Sequence, residues 1–179
     1  NNPPYPAKDI ILSKGFYTAN ELINLSWKFV DPDYNDKQGG FIVEISKDNK
    51  TNYYDNRNTE LRFNEYFVIN SGDLPYGGGK YNLGIKVFDN RGGYSEYSNP
   101  VEFILDTASP EIIITGIKDG ETYIDKSVIY TVVNDNNLKS IVQKVDNTNY
   151  SNGEIISNTG NHLFEITAED FAGNISRKE

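Results

Sequence analysis

Apolar and polar residues alternate along several short segments of this chain, which is the pattern of strands with one buried face. Residues 23–29 alternate strictly, so Ile23, Leu25 and Trp27 are expected to face a core, and residues 41–45 repeat the pattern. Gly, Asn, Asp and Pro separate these segments, and none has the period of a helix. The pattern predicts an all-β chain of antiparallel sandwiches.

One stretch of the chain occurs twice. Residues 79–95 read GKYNLGIKVFDNRGGYS and residues 160–176 read GNHLFEITAEDFAGNIS. Both copies contain Asp-x-x-Gly-x-x-Ser at a constant offset of 81 residues, at Asp89 and Asp170, Gly92 and Gly173, and Ser95 and Ser176. An internal repeat of this length predicts two related β domains in tandem. We expect them at residues 1–105 and 106–179.

The two copies differ in the length of chain after the repeated serine. Ile104, in the closing strand of the first domain, lies nine residues after Ser95, whereas only Arg177, Lys178 and Glu179 come after Ser176. We therefore expect the last strand of the second domain to be cut short. The remainder of that strand would come from a continuing chain or from another molecule by strand complementation.

Composition excludes several classes of function. The chain has 17 Lys and Arg against 26 Asp and Glu, a net charge of −9, which argues against nucleic acid as a partner. It has no Cys, so disulfides, zinc thiolates and thiol nucleophiles are excluded. No apolar run reaches the roughly 20 residues of a membrane span. Because Asn1 is no translation start, we expect a segment of a longer protein.

The first domain resembles a fibronectin type III domain. The resemblance rests on Leu25-x-Trp27, on Leu74 before Tyr81, and on the alternation that begins at Tyr81. It implies that Tyr81 is a corner tyrosine whose hydroxyl bonds back to the backbone. The junction DTASP at residues 106–110 and the ending AEDFAGNIS at residues 168–176 carry a second resemblance. Through them residues 107–179 resemble bacterial immunoglobulin-like surface repeats. His162 stands where Tyr81 stands, and an imidazole is not expected to make the corner bond.

These resemblances imply a function outside catalysis. Both families supply spacers and accessory modules of exported bacterial surface proteins or multidomain carbohydrate-active enzymes. We therefore predict an extracellular or cell-surface scaffold whose partners are neighbouring domains of the same polypeptide. The alternatives are an adhesion module that binds a glycan or a host protein through the first domain, and an assembly subunit that uses strand complementation.

The repeated Asp-x-x-Gly-x-x-Ser has two interpretations. It is a turn in which the Asp carboxylate accepts backbone N–H groups and the Gly supplies a positive φ. Alternatively it contributes to a calcium site, since calcium binds about six to eight oxygen ligands. Loops at one pole of each sandwich would bring the acidic residues together. The candidate metal ligands are Asp31, Asp33, Asp36 and Asp89 in the first domain, and Asp106, Asp135 and Asp170 in the second.

No motif supports catalysis. His162 is the only histidine, and Gly77-Gly78-Gly79 precedes a strand rather than opening a phosphate-binding helix. Exposed tyrosines can instead stack on sugar rings. Tyr53 and Tyr54 are the candidate ligand-binding residues. Calcium is the only cofactor that the sequence suggests.

Overall fold

The computed structural model describes all 179 residues, and its secondary structure consists of strands and two short 3-10 turns, Glu60–Phe63 and Ser71–Asp73. The chain forms two compact units, Asn1–Thr107 and Ala108–Glu179. None of its helices has the length and apolar character needed to cross a membrane. The prediction of an all-β chain with two β-sandwich units is confirmed.

The first unit has eight strands in two sheets. The strands are β1 (Lys8–Leu12), β2 (Phe16–Tyr17), β3 (Leu22–Lys28), β4 (Gln38–Lys47), β5 (Lys50–Asp55), β6 (Tyr66–Asn70), β7 (Gly79–Asp89) and β8 (Val101–Leu105). One sheet has the order β1-β3-β6 and the other β2-β8-β7-β4-β5. Only the short β2–β8 pair is parallel. The two sheets make the first unit a β-sandwich. Its resemblance to fibronectin type III domains stays a prediction.

The core of the first unit is built from the inward positions of the alternating strands. Sixteen buried hydrophobic residues form one cluster, to which β7 contributes Tyr81, Leu83, Ile85 and Val87, all with no exposed surface. Trp27 packs against the ring of Phe41 at a centroid distance of 4.8 Å. The indole N–H of Trp27 donates to Gln38 Oε1 at 2.9 Å, which satisfies its one donor in the core.

The segment after the repeated turn runs beside β7 before the regular pairing of β8 begins at Val101. Two serine hydroxyls act there in place of backbone carbonyls. The N–H of Val87 donates to Ser95 Oγ at 3.1 Å, and the N–H of Ile85 donates to Ser98 Oγ at 3.0 Å. Both amides are thereby satisfied although β8 does not extend to them.

The second unit also has eight strands, arranged in smaller sheets. They are β9 (Glu111–Thr115), β10 (Ser127–Val128), β11 (Tyr130–Asn134), β12 (Leu138–Val145), β13 (Thr148–Asn149), β14 (Ile155–Ile156), β15 (Phe164–Asp170) and β16 (Ile175–Lys178). The largest sheet has the order β13-β12-β15-β16, and β9–β11 and β10–β14 form two-stranded sheets. The core is Ile112, Ile129, Tyr150, Phe164, Ile166 and Ala168. The resemblance of this unit to bacterial immunoglobulin-like repeats stays a prediction.

The second unit has a short closing strand, because β16 begins directly after the turn and pairs antiparallel with residues 166–169 of β15. The expectation that this strand is cut short stays a prediction. β11 has one exposed face, on which Tyr130 and Val132 are each 54% exposed. β11 pairs with β9 alone.

Candidate functional site

The repeated turn has the same geometry in both units. Gly92 and Gly173 each have φ of +93°, the left-handed region that a residue without Cβ adopts at little cost. Asp89 Oδ1 accepts the N–H groups of Arg91 and Gly93 at 2.7 and 2.8 Å. Asp170 Oδ1 accepts the N–H of Asn174 at 2.9 Å. The interpretation of the motif as a turn held by its own aspartate is confirmed.

The corner bond also forms in both units. The Tyr81 hydroxyl donates to the carbonyl of Gly77 at 2.7 Å, as the resemblance implies. In the second unit His162 Nε2 lies 3.0 Å from the carbonyl of Asn158, which also lies four residues earlier in the chain. The expectation that an imidazole would not make this bond is wrong, because the ring nitrogen reaches the equivalent carbonyl.

The other nitrogen of His162 contacts a carboxylate. Nδ1 lies 2.6 Å from Asp146 Oδ2. Both ring nitrogens therefore face oxygen acceptors, an arrangement that is fully satisfied when both carry protons. The hydrogen bond to Asp146, followed by the bond to Asn158, raises the pKa of His162 above its ordinary value. The hydrogen bond from His162 lowers the pKa of Asp146.

Three of the four predicted acidic residues of the first unit meet at one pole. Asp31 and Asp36 lie in the loop between β3 and β4, and Asp89 ends β7. The pairing of Gln38 with Asp89 places the start of β4 beside the end of β7, which brings that loop to the aspartate. One carboxylate oxygen from each aspartate lies within 4.8 Å of the other two. We call Asp31, Asp36 and Asp89 the acidic cluster.

Asp33 is not part of the acidic cluster. Its carboxylate accepts hydrogen bonds from the backbone N–H and the side-chain amide of Asn2, at 2.7 and 2.8 Å. These bonds lower the pKa of Asp33. The structure thus engages this residue with the start of the chain, and the prediction that it shares a site with the other three is not supported by its placement.

The electrostatics of the acidic cluster are unequal. Burial raises the pKa of Asp36, the positive charge of Arg91 opposes that rise, and the neighbouring aspartates add to it. Burial also raises the pKa of Asp89, but hydrogen bonds from Asn1 and from the turn outweigh it, so the pKa is lowered. Asp89 is therefore the stable anion of the cluster, whereas Asp36 carries a charge that its surroundings disfavour.

The acidic residues of the second unit are held by their own loops. Asp170 has no exposed surface, and its two oxygens accept from the backbone N–H and the side-chain amide of Asn174, at 2.9 and 2.8 Å. Asp135 Oδ1 accepts the N–H of Asn137 at 2.6 Å. Asp106 belongs to the first unit, where its N–H donates to the carbonyl of Tyr17. A calcium site at Asp106, Asp135 and Asp170 stays a prediction.

The two candidate tyrosines point to opposite faces of β5, as neighbours in a strand must. Tyr53 is 55% exposed. Tyr54 is half-buried and packs against the core, with its ring 5.8 Å from that of Phe67. The two side chains therefore cannot form one exposed stacking surface, and the prediction of ligand binding rests on Tyr53.

Sequence reasoning missed a cationic residue on the outer face of the first unit. Lys86 Nζ lies 4.4 Å from the ring centroid of Tyr94 and 5.7 Å from that of Tyr97. The signal was present, since Lys86 is in the outward phase of β7 and both tyrosines come after the turn. Arg91, which contacts Asp36, was also missed because its position in the turn does not reveal its direction.

The likenesses of this chain to known proteins lie among solved structures. No protein-family description matches the chain, and no curated protein sequence matches it. Among solved structures, the chain resembles the FN1–FN3 domains of chicken CNTN1, with 14% identity, a TM-score of 0.41, and coverage of 99% of this chain and 68% of that chain.

Two further solved structures are similar. One is an α-L-rhamnosidase from Dictyoglumus thermophilum, with 12% identity, a TM-score of 0.44, and coverage of 97% of this chain and 28% of that chain. The other is the central fibronectin-III array of RIM-binding protein, with 13% identity, a TM-score of 0.34, and coverage of 99% and 61%. The chain thus spans less than two thirds of either protein.

Proposed function

We propose that this chain is a non-catalytic spacer of two β-sandwich units in a larger exported bacterial protein. Either a surface protein or a multidomain carbohydrate-active enzyme would use such a segment to hold its other domains apart. The observation that carries the proposal is the repeated turn. The polar residues that recur in both units serve the fold itself, since Asp89 and Asp170 accept hydrogen bonds from their own turns.

The structure suits this role because each unit has its own core. Buried hydrophobic residues form one cluster in each unit, and each closes its repeated hairpin with local hydrogen bonds. A unit stabilised in this way keeps its length whatever domain lies before or after it. The neighbouring domains of the same polypeptide are therefore the partners that we propose.

The test is a replacement in the full polypeptide. Residues 1–179 are exchanged for an unrelated pair of β-sandwich domains of similar length, and the activity or adhesion of the whole protein is measured. A spacer predicts that activity is retained with the replacement and falls when the segment is deleted. Loss of activity with the replacement as well would show that the chain does more than separate domains.

A second candidate function is glycan binding on the outer face of the five-stranded sheet. Tyr53 and Tyr94 are each 55% exposed, and Lys86 lies over the Tyr94 ring. Exposed aromatic rings stack on sugars, and a nearby cation can donate hydrogen bonds to their hydroxyls. We expect glycan-array signals that disappear in Tyr53→Ala and Tyr94→Ala. Tyr66→Ala, which removes a ring that is 56% exposed on the other sheet, is the matched control.

A further inference from the structure

We propose that the acidic cluster Asp31, Asp36 and Asp89 binds a calcium ion. The inference is independent of the proposed spacer function, because a cation could stabilise the first unit whatever that unit does in the whole protein. Acidic residues often gather on surfaces without a ligand. The proposal therefore rests on buried oxygens of this cluster that have no hydrogen-bond partner.

Asp31 and Asp36 contribute three such oxygens. Asp31 Oδ1 accepts the N–H of Asp33 at 2.7 Å, but Asp31 Oδ2 is buried without a hydrogen bond. Both oxygens of Asp36 are also buried without a hydrogen bond, and its side chain has no exposed surface. Buried carboxylate oxygens are costly unless a hydrogen bond or a cation compensates them.

Arg91 compensates only part of this charge. Its Nε lies 2.9 Å from Asp36 Oδ1, in an ion pair that lacks hydrogen-bond geometry, and its side chain is 54% exposed. One guanidinium faces three carboxylates. Asp36 Oδ2 and Asp31 Oδ2 have no such contact. A cation between the three carboxylates would pair with these oxygens without displacing any bond that the structure contains.

Asp89 provides a fixed edge for such a site. Its Oδ1 accepts the N–H groups of Arg91 and Gly93, and its Oδ2 accepts the side-chain amide of Asn1 at 3.0 Å. A carboxylate held by several donors keeps its position, and each oxygen has a second lone pair available to a metal. The unpaired oxygens of the β3–β4 loop face this preorganised ligand.

The chemistry of the ligands favours calcium. All three are carboxylates, and the first unit contains neither Cys nor His, which are the usual zinc ligands. Oxygens on opposite sides of a calcium ion are about 4.6–5.2 Å apart, whereas across magnesium they are about 4.0–4.2 Å apart. The cluster oxygens lie within 4.8 Å of one another, close enough to share one ion, and the flexible coordination of calcium suits carboxylates from a loop and a strand end better than the strict octahedron of magnesium does. Water would complete the coordination.

The equivalent pole of the second unit provides an internal comparison. Asp170 corresponds to Asp89 in the repeat, and like Asp89 it accepts hydrogen bonds at both oxygens, here from Asn174. None of the buried unpaired side-chain oxygens lies in the second unit. The repeated turn is thus satisfied in both units, and the first unit differs by the buried oxygens of Asp31 and Asp36 that accept no hydrogen bond.

The experiment uses thermal unfolding of the whole chain, monitored by the fluorescence of Trp27, the only tryptophan. Melting is compared in EDTA, in about 10 mM CaCl2 and in about 10 mM MgCl2, a range in which extracellular calcium modules are occupied. We expect the first unit to melt about 5 °C or more higher in CaCl2 than in EDTA, and to respond less to MgCl2.

Three variants distinguish a metal site from a cluster whose carboxylates only repel one another. Asp36→Asn should abolish the response to CaCl2 and, in EDTA, melt no lower than the unmodified chain, because it removes an uncompensated buried charge. Asp31→Asn should also abolish the response. Asp33→Asn is the matched control and should retain it, since Asn2 engages that carboxylate.

Several results would overturn the proposal. They are an unmodified chain that melts at the same temperature in CaCl2 and EDTA, a response to MgCl2 as large as that to CaCl2, and a CaCl2 response that survives in Asp36→Asn. Loss of the CaCl2 response in Asp33→Asn as well would show that the response does not belong specifically to Asp31, Asp36 and Asp89. None of these results bears on whether the chain is a spacer.

Discussion

At the scale of single residues, the two units make the same corner bond with different chemistry. Tyr81 donates a phenolic O–H to Gly77, and His162 uses a ring nitrogen to reach the carbonyl of Asn158. The phenol carries its proton at all ordinary pH values, whereas the imidazole titrates near neutrality. The first corner is therefore insensitive to pH in this range, and the second is not.

Removal of the Tyr81 hydroxyl should weaken the first unit. Tyr81→Phe keeps the stacked contact with Phe103 but leaves the carbonyl of Gly77 without its partner. We expect a loss of about 1 kcal/mol in the free energy of unfolding, measured by urea denaturation with Trp27 fluorescence. Tyr66→Phe, on an exposed ring, is the control and should be neutral. Equal stability of the Tyr81→Phe variant and the unmodified chain would contradict this prediction.

The second unit should lose stability as pH rises through the pKa of His162. That pKa is raised in the folded state above the unfolded-state value of 6.5. The charged imidazole of His162 therefore stabilises the fold fully below pH 6.5, and this stabilisation is lost as the pH rises through the folded-state pKa. The pKa of Asp146 is lowered in the folded state, so the stabilising effect of its carboxylate is lost only as the pH falls into the acidic range. We expect the melting temperature of the second unit, measured by circular dichroism, to fall as the pH rises above the unfolded-state value of 6.5 and through the raised pKa of His162.

Two variants test the cause of that pH dependence. His162→Gln should remove it, because no group at the corner then titrates near neutrality. Asp146→Asn should shift the imidazole resonance of His162 to a lower titration midpoint in NMR, since its charged partner is gone. His162 is the only histidine, so its signal needs no assignment. A midpoint that is unchanged in Asp146→Asn would argue against the ion pair.

At the scale of elements, side chains complete the backbone pairing of β7. Ser95 and Ser98 accept the N–H groups of Val87 and Ile85, which lie beyond the part of β7 that β8 covers. Local hydrogen bonds from Ser to backbone usually form in turns. Here they extend along a central strand and keep an irregular segment attached to it.

Loss of one hydroxyl should be visible at a single amide. In Ser98→Ala the N–H of Ile85 loses its side-chain acceptor, so we expect its hydrogen exchange to accelerate roughly three- to tenfold, relative to the amides of β4 in the same protein. The β4 amides serve as the internal control for global stability. If Ile85 and the β4 amides accelerate by the same factor, the bond has no local role.

At the scale of the whole molecule, the two units have unequal cores. Sixteen buried hydrophobic residues form the core of the first unit, and six form that of the second. Burial of apolar surface is the main favourable contribution to folding, and small domains are correspondingly less stable. The second unit is expected to be the weaker of the two.

Thermal unfolding should therefore occur in two steps. The change in circular dichroism that belongs to the second unit should precede the change in Trp27 fluorescence, which reports only on the first. A fragment of residues 1–107 should retain the fluorescence transition and lack the earlier step. Coincident transitions by both probes would show that the chain unfolds as a single cooperative unit.

Much of this organisation could be predicted because strand periodicity and turn chemistry are local properties. The buried faces of Ile23, Leu25 and Trp27, the corner bond of Tyr81 and the repeated turn are consequences of sequence spacing. The direction of a polar side chain in a loop, by contrast, does not follow from sequence spacing. The side chain of Asp33 contacts Asn2 while that of Asp36 is buried, although only two residues separate them. Their placement depends on loop backbone and on partners that are distant in sequence.

The correspondence between the two units ends at the repeated serine, which matters for the detection of relatives. After Ser95 the chain runs irregularly until Val101, whereas β16 begins at Ile175. A sequence profile built from one unit and extended past the serine would therefore align an irregular segment of the first unit with a regular strand of the second. Homology searches with this chain should use each unit separately, with the closing segment left unaligned.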